Sequence, residues 1–199
     1  LALNNLGLTL YQAGKSIFQE QGEALFTHFG LSGPLVLSAS AHLGDLAKHR
    51  YEVGFDMKPA LSHEQLYARL NRDLTALANR DAANCLVKLL PASMQPVMVE
   101  RWGVDPAKKA NQLTKEERLA LVDLMKDFRI RIRDRGDLEH AVITSGGVAV
   151  KEVDPRTMAS KKCPGLYFAG EVLDVDAYTG GYNLQIAWCT AQAAARGLA

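Results

Sequence analysis

Two glycine-opened turns and one histidine hold the residue types and spacings in this sequence that can do chemistry. In GLYFAGEVLDVDAYTGGYNLQIAW, Gly165 to Trp188, a short apolar run meets Gly170-Glu171 and passes an acidic loop. Nine residues after Glu171 it reaches Gly180-Gly181 and enters an apparent helix. A glycine at the end of a strand lets a ligand approach the backbone closely. Glu171 would then stand at the carboxyl edge of the strand, where open α/β sheets bind ligands, and its carboxylate accepts hydrogen bonds from sugar or ribitol hydroxyls. The helix opening with Tyr182, Asn183, Leu184 and Gln185 presents unpaired amides and about half a positive charge. A phosphate, or a ring carbonyl that gains negative charge on reduction, suits that end. A glycine turn capping an ordinary core helix has the same spelling, but its pairing with Gly-Glu favours a ligand. Asn183 has an amide able to hydrogen-bond that ligand.

The second turn is ITSGGVAV, with Thr144, Gly146, Gly147 and Val148. Close backbone packing explains its glycines as well as a ligand does. In LFTHFGLSGP, His28 stands between Thr27 and Phe29 ahead of a Ser-Gly-Pro helix start. A histidine there can exchange protons near neutral pH, although spacing alone favours a hydrogen-bonded interior residue. Cys85, Cys163 and Cys189 lie far apart, without metal-ligand or redox spacing, so no metal site is expected and the thiols read as indifferent in a reducing cytoplasm.

Elements must position these residues. The 199 residues suffice for one large domain or two small ones, and 48% hydrophobic with 23% charged is an ordinary globular composition. A net charge of +1 argues for a small-molecule substrate and against nucleic acid as a partner. No apolar run reaches the roughly 20 residues of a membrane span, and the reading is of a cytoplasmic protein. LGLTLYQAGKSIFQEQGEALFTHFG alternates with period two and breaks at Ala13-Gly14-Lys15 and Gln21-Gly22-Glu23, which predicts short antiparallel strands. Ser32 and Pro34 predict a helix start, with a buried face from Leu35 to Leu46. RYEVGFDMKP returns to strand.

Leu61 to Lys126 reads as helical. Ser62 with Gln65, and Thr114 with Glu117, have the spacing of capping boxes, while Pro91, Pro96 and Pro106 divide the region. FRIRIRDRGDLEHAVITSGGV predicts strand again, with Arg129, Arg131 and Arg133 on one solvated, salt-bridged face. Leu166 to Ala169 predicts a buried strand, and the last helix sets Leu184, Ala187 and Ala191 on an apolar face.

GLYFAGEVLDVDAYTGGYNLQIA, AVITSGGVAVKEVDPRTMASKKCPG and GEALFTHFGLSGP together resemble the YhiN/BaiN-like family of bacterial FAD-dependent oxidoreductases, some of them described as aminoacetone oxidases. The resemblance covers the whole chain, by position more than motif in the helical region. It implies a flavoprotein whose glutathione-reductase-type FAD domain is interrupted by β-rich and helical domains. Gly170-Glu171 would then lie near the ribitol and pyrophosphate, and Gly180 to Gln185 at the flavin ring. Thr144 to Val148 and the Thr27-His28 turn would be further edges, with His28 the candidate for proton transfer. The family's first Gly-x-Gly-x-x-Gly segment is absent, so the chain resembles about the second half of a family member. Ala177-Tyr178 stands where the family has small polar or glycine residues.

The expected fold is thus an α+β fragment. Residues 1–59 and 128–145 form a β-rich subdomain around a helical insertion at 60–127, and 146–199 form the returning strand-loop-helix of the FAD domain. The expected function is electron transfer between a small organic substrate and FAD, with NAD(P)H a candidate electron donor. The alternative is a non-catalytic interaction module using the arginine face.

Overall fold

The computed structural model describes residues 1–198; the side chain of His140 and residue 199 lie outside the description. The chain divides into two units, Leu1–Arg133 and Asp134–Ala199, each described by itself.

The first unit is α+β. Strands β1 (Ala2–Gln12), β2 (Lys15–Phe26), β3 (Leu31–Ser32), β4 (Tyr51–Asp56) and β5 (Phe128–Ile132) form one antiparallel sheet in the order β3-β2-β1-β4-β5. Alternation in β1 sends Leu6, Leu8 and Leu10 into the core, where they meet Val53 and Phe55 of β4 and Phe128 of β5. Ala13-Gly14 makes the expected turn between β1 and β2. The second expected break does not exist, because β2 runs unbroken through Gln21-Gly22-Glu23. A side chain at Gly22 would make ordinary contact with Leu35 at 3.7 Å.

Leu35 belongs to α1 (Pro34–Ser40), which is shorter than expected. Gly33, not Ser32, is its N-cap, since Ser32 pairs with Leu25 in the sheet. The helix stops at Ser40, followed by tightened bonds from His42 N to Ala39 O and Leu43 N to Ser40 O. Beyond it, the Asp45 carboxylate accepts from the Ala47 amide at 2.9 Å, a local turn that competes with helix.

Between β4 and β5 lies the helical insertion: α2 (His63–Ala76), α3 (Gln95–Trp102) and α4 (Lys115–Lys126). Both capping boxes are present, Ser62 with Gln65 and Thr114 with Glu117. Pro96 opens α3 in its first turn, where a missing N–H costs nothing. Leu66, Leu70 and Leu74 of α2, Met98 and Trp102 of α3, and Leu121, Val122 and Met125 of α4 join one core with the sheet. The insertion begins and ends at one place. β4 pairs with β5, the Met57 amide donates to Met125 O at 2.8 Å, and Lys126 Nζ lies 2.5 Å from Asp56 while donating to the Lys58 and Leu61 carbonyls.

On β5, Arg129 reaches Asp127 at 2.7 Å and Glu52 at 3.5 Å and lies over the Tyr11 ring, while Arg131 and Arg133 are exposed. The strand ends at Ile132, so the strand predicted to continue toward Ser145 is not formed. Leu138–His140 is a single 3₁₀ turn, and the following residues are irregular up to a bridge at Val148.

The second unit is loop-rich. Its small core is Val153, Met158 and Leu173, against which Val148, Phe168, Ala193 and Ala194 pack. Leu166–Ala169 is not the buried strand expected. Tyr167 makes one bridge to Ala159 and Leu166 is 43% exposed, because a strand without a sustained ladder has nothing to bury it. The last helix, α5 (Tyr182–Leu198), forms as expected but buries none of its residues. Leu184 is 70% exposed and Trp188 75%; within this unit the helix meets the small core through Ala193 and Ala194 instead. Among the described residues, no helix is long and apolar enough to cross a membrane.

Candidate functional site

A cleft of about 300 Å³ in the second unit collects most of the residues at the two ends of the Gly170 to Leu184 stretch. Gly170, Glu171, Gly180, Gly181, Asn183 and Leu184 line it. Ile143, Val175, Thr179 and Ile186 line it too; sequence reasoning passed over the three apolar ones because apolar residues beside a glycine turn read as core, and over Thr179 because a threonine in a polar loop gives no signal of its own.

Gly170 takes φ +78° and opens a 3₁₀ turn over Gly170–Val172, so the Gly-Glu pair turns the chain without ending a strand. Its amide donates to Thr190 Oγ1 at 2.9 Å, and the Thr190 hydroxyl donates back to Ile186 O within α5 at 2.7 Å. One hydroxyl thus fixes the turn against the helix. Glu171 is exposed and accepts from the Thr144 amide at 3.2 Å through Oε1. Its other oxygen has no partner among the described residues.

The Thr144 bond attaches the second glycine turn to this side of the cleft. The attachment continues as a parallel bridge in which the Val148 amide donates to Val172 O at 2.8 Å and the Asp174 amide to Val148 O at 2.9 Å. The two glycines of that turn do different things. A side chain on Gly147 would lie 2.5 Å from Val172 O, so this residue is required by close packing. One on Gly146 would meet nothing within 4 Å.

On the other side, Gly180 and Gly181 take φ +117° and +93° directly ahead of α5, and the space above Gly181 is open. The first turn of α5 leaves its amides without intrahelical partners and puts the positive end of the helix dipole there. Asn183 faces the acidic loop, with Oδ1 accepting from the Ala177 amide at 2.8 Å and Nδ2 donating to the Ala177 carbonyl at 2.9 Å. Tyr182 and Leu184 are exposed, and Gln185 Nε2 donates to Cys189 Sγ at 3.1 Å.

His28 lies in the first unit. It is not the interior residue that spacing favoured. β2 ends at Phe26, Thr27 and Gly30 close a tight turn through three hydrogen bonds, and the His28 ring is exposed beside Phe29 at a 5.1 Å centroid separation. Cys85 is buried, with its thiol pushed up to about 11 by desolvation, whereas Cys163 and Cys189 are exposed.

The cleft has a bare glycine backbone at Gly181, the amino terminus of α5, and a Glu171 oxygen without a partner among the described residues. At about 300 Å³ it holds a ring system but not a whole dinucleotide, at the lower end of small-molecule pockets.

Known proteins resemble the chain in sequence. The chain is 35% identical over 185 residues to the ribosomal RNA dihydrouridine synthase of Escherichia coli (strain K12), covering 92% of this chain and 43% of that protein. It is 34% identical over 182 residues to the protein of the same name in Haemophilus influenzae, again covering 92% and 43%. The 3-dehydro-bile acid delta(4,6)-reductase of Clostridium scindens is 31% identical over 192 residues, covering 94% of this chain and 46% of that protein. The chain therefore spans less than half the length of these curated relatives. Residues 1–143 match the family model described as the HI0933-like protein barrel and H2TH domain, and the chain belongs to that HI0933-like family.

Proposed function

We propose that this chain is part of an FAD-dependent oxidoreductase that reduces a carbon–carbon double bond conjugated to a carbonyl. The observation that carries the reading is the cleft where Gly180-Gly181, the amino terminus of α5 and Glu171 converge. The relatives' names point to one chemistry. A dihydrouridine synthase saturates the uracil double bond beside a ring carbonyl, and a delta(4,6)-reductase of a 3-dehydro steroid acts on double bonds conjugated to the 3-ketone. Both add two hydrogens across an alkene that a carbonyl has made electrophilic.

Bound flavin supplies the hydride in such a reaction. The residues of this chain act by position. The open backbone at Gly181 admits a flat ring, the first-turn amides of α5 favour negative charge at its edge, and the free Glu171 oxygen accepts a hydroxyl. The second hydrogen arrives as a proton, and His28 is the titratable residue we assign to it. Replacing His28 with Gln should slow substrate reduction while flavin content stays constant; an unchanged rate would remove the assignment.

The test of the function uses the complete protein carrying this chain. It should purify with flavin absorbance, bleach with a nicotinamide donor, and regain colour on addition of an α,β-unsaturated carbonyl compound. A protein that stays colourless with added FAD would instead favour a non-catalytic module, a reading supported by the first unit's own continuous core. The near-neutral charge suits a small-molecule substrate. Two of the relatives are named for ribosomal RNA.

A further inference from the structure

The cleft of the second unit needs two parts held at one spacing: the first turn of α5 and the turn that carries Glu171. Neither part sets that spacing by itself. Two glycines at positive φ lead into α5 and leave the direction of the helix end open. The 3₁₀ turn over Gly170–Val172 is a single turn, and the Thr144 and Val148 bonds tie it to the second glycine turn rather than to α5. The placement of the helix against this turn must come from contacts further along α5.

Two contacts answer that need. Near the helix end, the Tyr167 hydroxyl donates to Gly197 O at 3.2 Å, and Gly197 packs so closely that a side chain there would stand 2.8 Å from Thr157 O. Midway along the helix, the Gly170 amide donates to Thr190 Oγ1 at 2.9 Å, and a side chain on Gly170 would lie 3.7 Å from Ala187 Cβ. The second contact acts on a residue that lines the cleft. The Thr190 hydroxyl has one proton, which Ile186 O at 2.7 Å and Ala187 O at 3.1 Å share, so toward Gly170 it serves as acceptor. Thr190 itself is not among the lining residues and lies eight positions after Tyr182, about 12 Å along the axis from the first turn.

We infer that Thr190 is a positioning residue for the cleft: its hydroxyl holds the first-turn amides of α5 and the Glu171 carboxylate at the spacing that one flat ligand bridges. The inference rests on the flavin reading above. Thr190 touches no ligand and acts through Gly170, whose amide has no other use for its proton at this turn. A side chain of the same shape without a lone pair releases the turn, and Glu171, the next residue, moves with it. The pull of a helix end on negative charge falls off within the first turn. A small shift between the two parts therefore weakens the hold on a ring that gains charge on reduction.

The test compares Thr190→Val, which keeps the shape and loses the acceptor, with Thr190→Ser, which keeps the acceptor. Thr190→Ala removes the same oxygen with less bulk and stands in should the valine variant fail to fold. In the 199-residue chain, hydrogen exchange of the Gly170 amide should accelerate about fivefold without the hydroxyl, the equivalent of one hydrogen bond, and return to the native rate with serine. In the complete protein, loss of the hydroxyl should weaken FAD binding by a similar factor. It should also lower the reduction potential of the bound flavin, because the α5 amides then stabilise the negative charge of reduction less well; serine should restore both. Native exchange at Gly170 without the hydroxyl, or faster exchange with FAD affinity and potential unchanged, would overturn the inference. A native protein that takes up no FAD would defeat the flavin reading and the positioning role with it. A native protein that binds FAD equally well with and without the Thr190 hydroxyl would defeat the positioning role alone.

Discussion

Asn183 and Ala177 are joined by a two-bond ring, the side-chain amide of one closing on both sides of the other's peptide unit. The pairing folds the acidic loop back onto the first turn of α5 and shapes the mouth of the cleft. It also explains how the loop tolerates Ala177-Tyr178: Ala177 is held through its backbone, so its side chain is free to vary, and Tyr178 is half exposed. Asn183 therefore fixes the loop with both ends of its amide.

Substituting Asn183 with Leu should release that loop. Each lost bond is worth about 1 kcal/mol, so amide exchange at Ala177 should accelerate by tenfold or more, while the small core around Met158 is unaffected. Unchanged protection at Ala177 would show that the loop is held by something else.

The two glycines of the Ser145-Gly146-Gly147 turn should separate cleanly. Gly147→Ala places a methyl group against Val172 O and should break the Val148–Leu173 bridge, destabilising the second unit by about 3 kcal/mol or preventing its folding. Gly146→Ala faces open space and carries only the cost of positive φ, about 1 kcal/mol. Chemical denaturation of the two variants gives the comparison, and equal effects would contradict the packing described.

Gly181→Val tests the cleft as a flavin site. No neighbour stands within 4 Å of the added carbon, so folding should change only through the backbone conformation. Flavin retention by the complete protein should nevertheless fall. An unchanged ratio of flavin to protein absorbance would mean that nothing approaches this turn.

The root of the helical insertion depends on Lys126. Lys126→Met leaves the Asp56 carboxylate and two carbonyls without their donor and should cost roughly 3 kcal/mol. By contrast, Thr114→Ala removes one cap and should cost about 1 kcal/mol. Urea midpoints of the two variants should fall in that order.

Acid should weaken the start of α4. The Lys108 ammonium and the Thr114 amide hold Glu117 below the usual carboxylate range. A carboxylate depressed in the folded state stabilises above its unfolded pKa and loses that contribution as pH falls through the folded one. The stability gap between the native chain and Glu117→Gln should therefore be constant near neutrality and close below about pH 4. A gap that widens on acidification would reverse the assignment.

Much of the first unit was legible because its signals are local. Alternation in β1 and the two capping boxes depend on neighbours a few residues apart, and they fold as their spelling directs. The Gly170-Glu171 and Gly180-Gly181 turns were legible for the same reason, since positive φ selects glycine wherever it falls. Gly22 misled because a glycine inside a continuous strand looks the same in sequence as one that turns the chain.

Sequence by itself thus determined the two capping boxes, most strands, the helices between β4 and β5, and the turns at Gly14, Gly170 and Gly180-Gly181, all settled by forces acting within a turn or a strand. Tertiary structure decided that Leu166–Ala169 gains no ladder, that α5 keeps its apolar face exposed, and that Asn183 spends its amide on Ala177. Burial and charge density are properties of what surrounds a residue, and residues distant in sequence supply those surroundings.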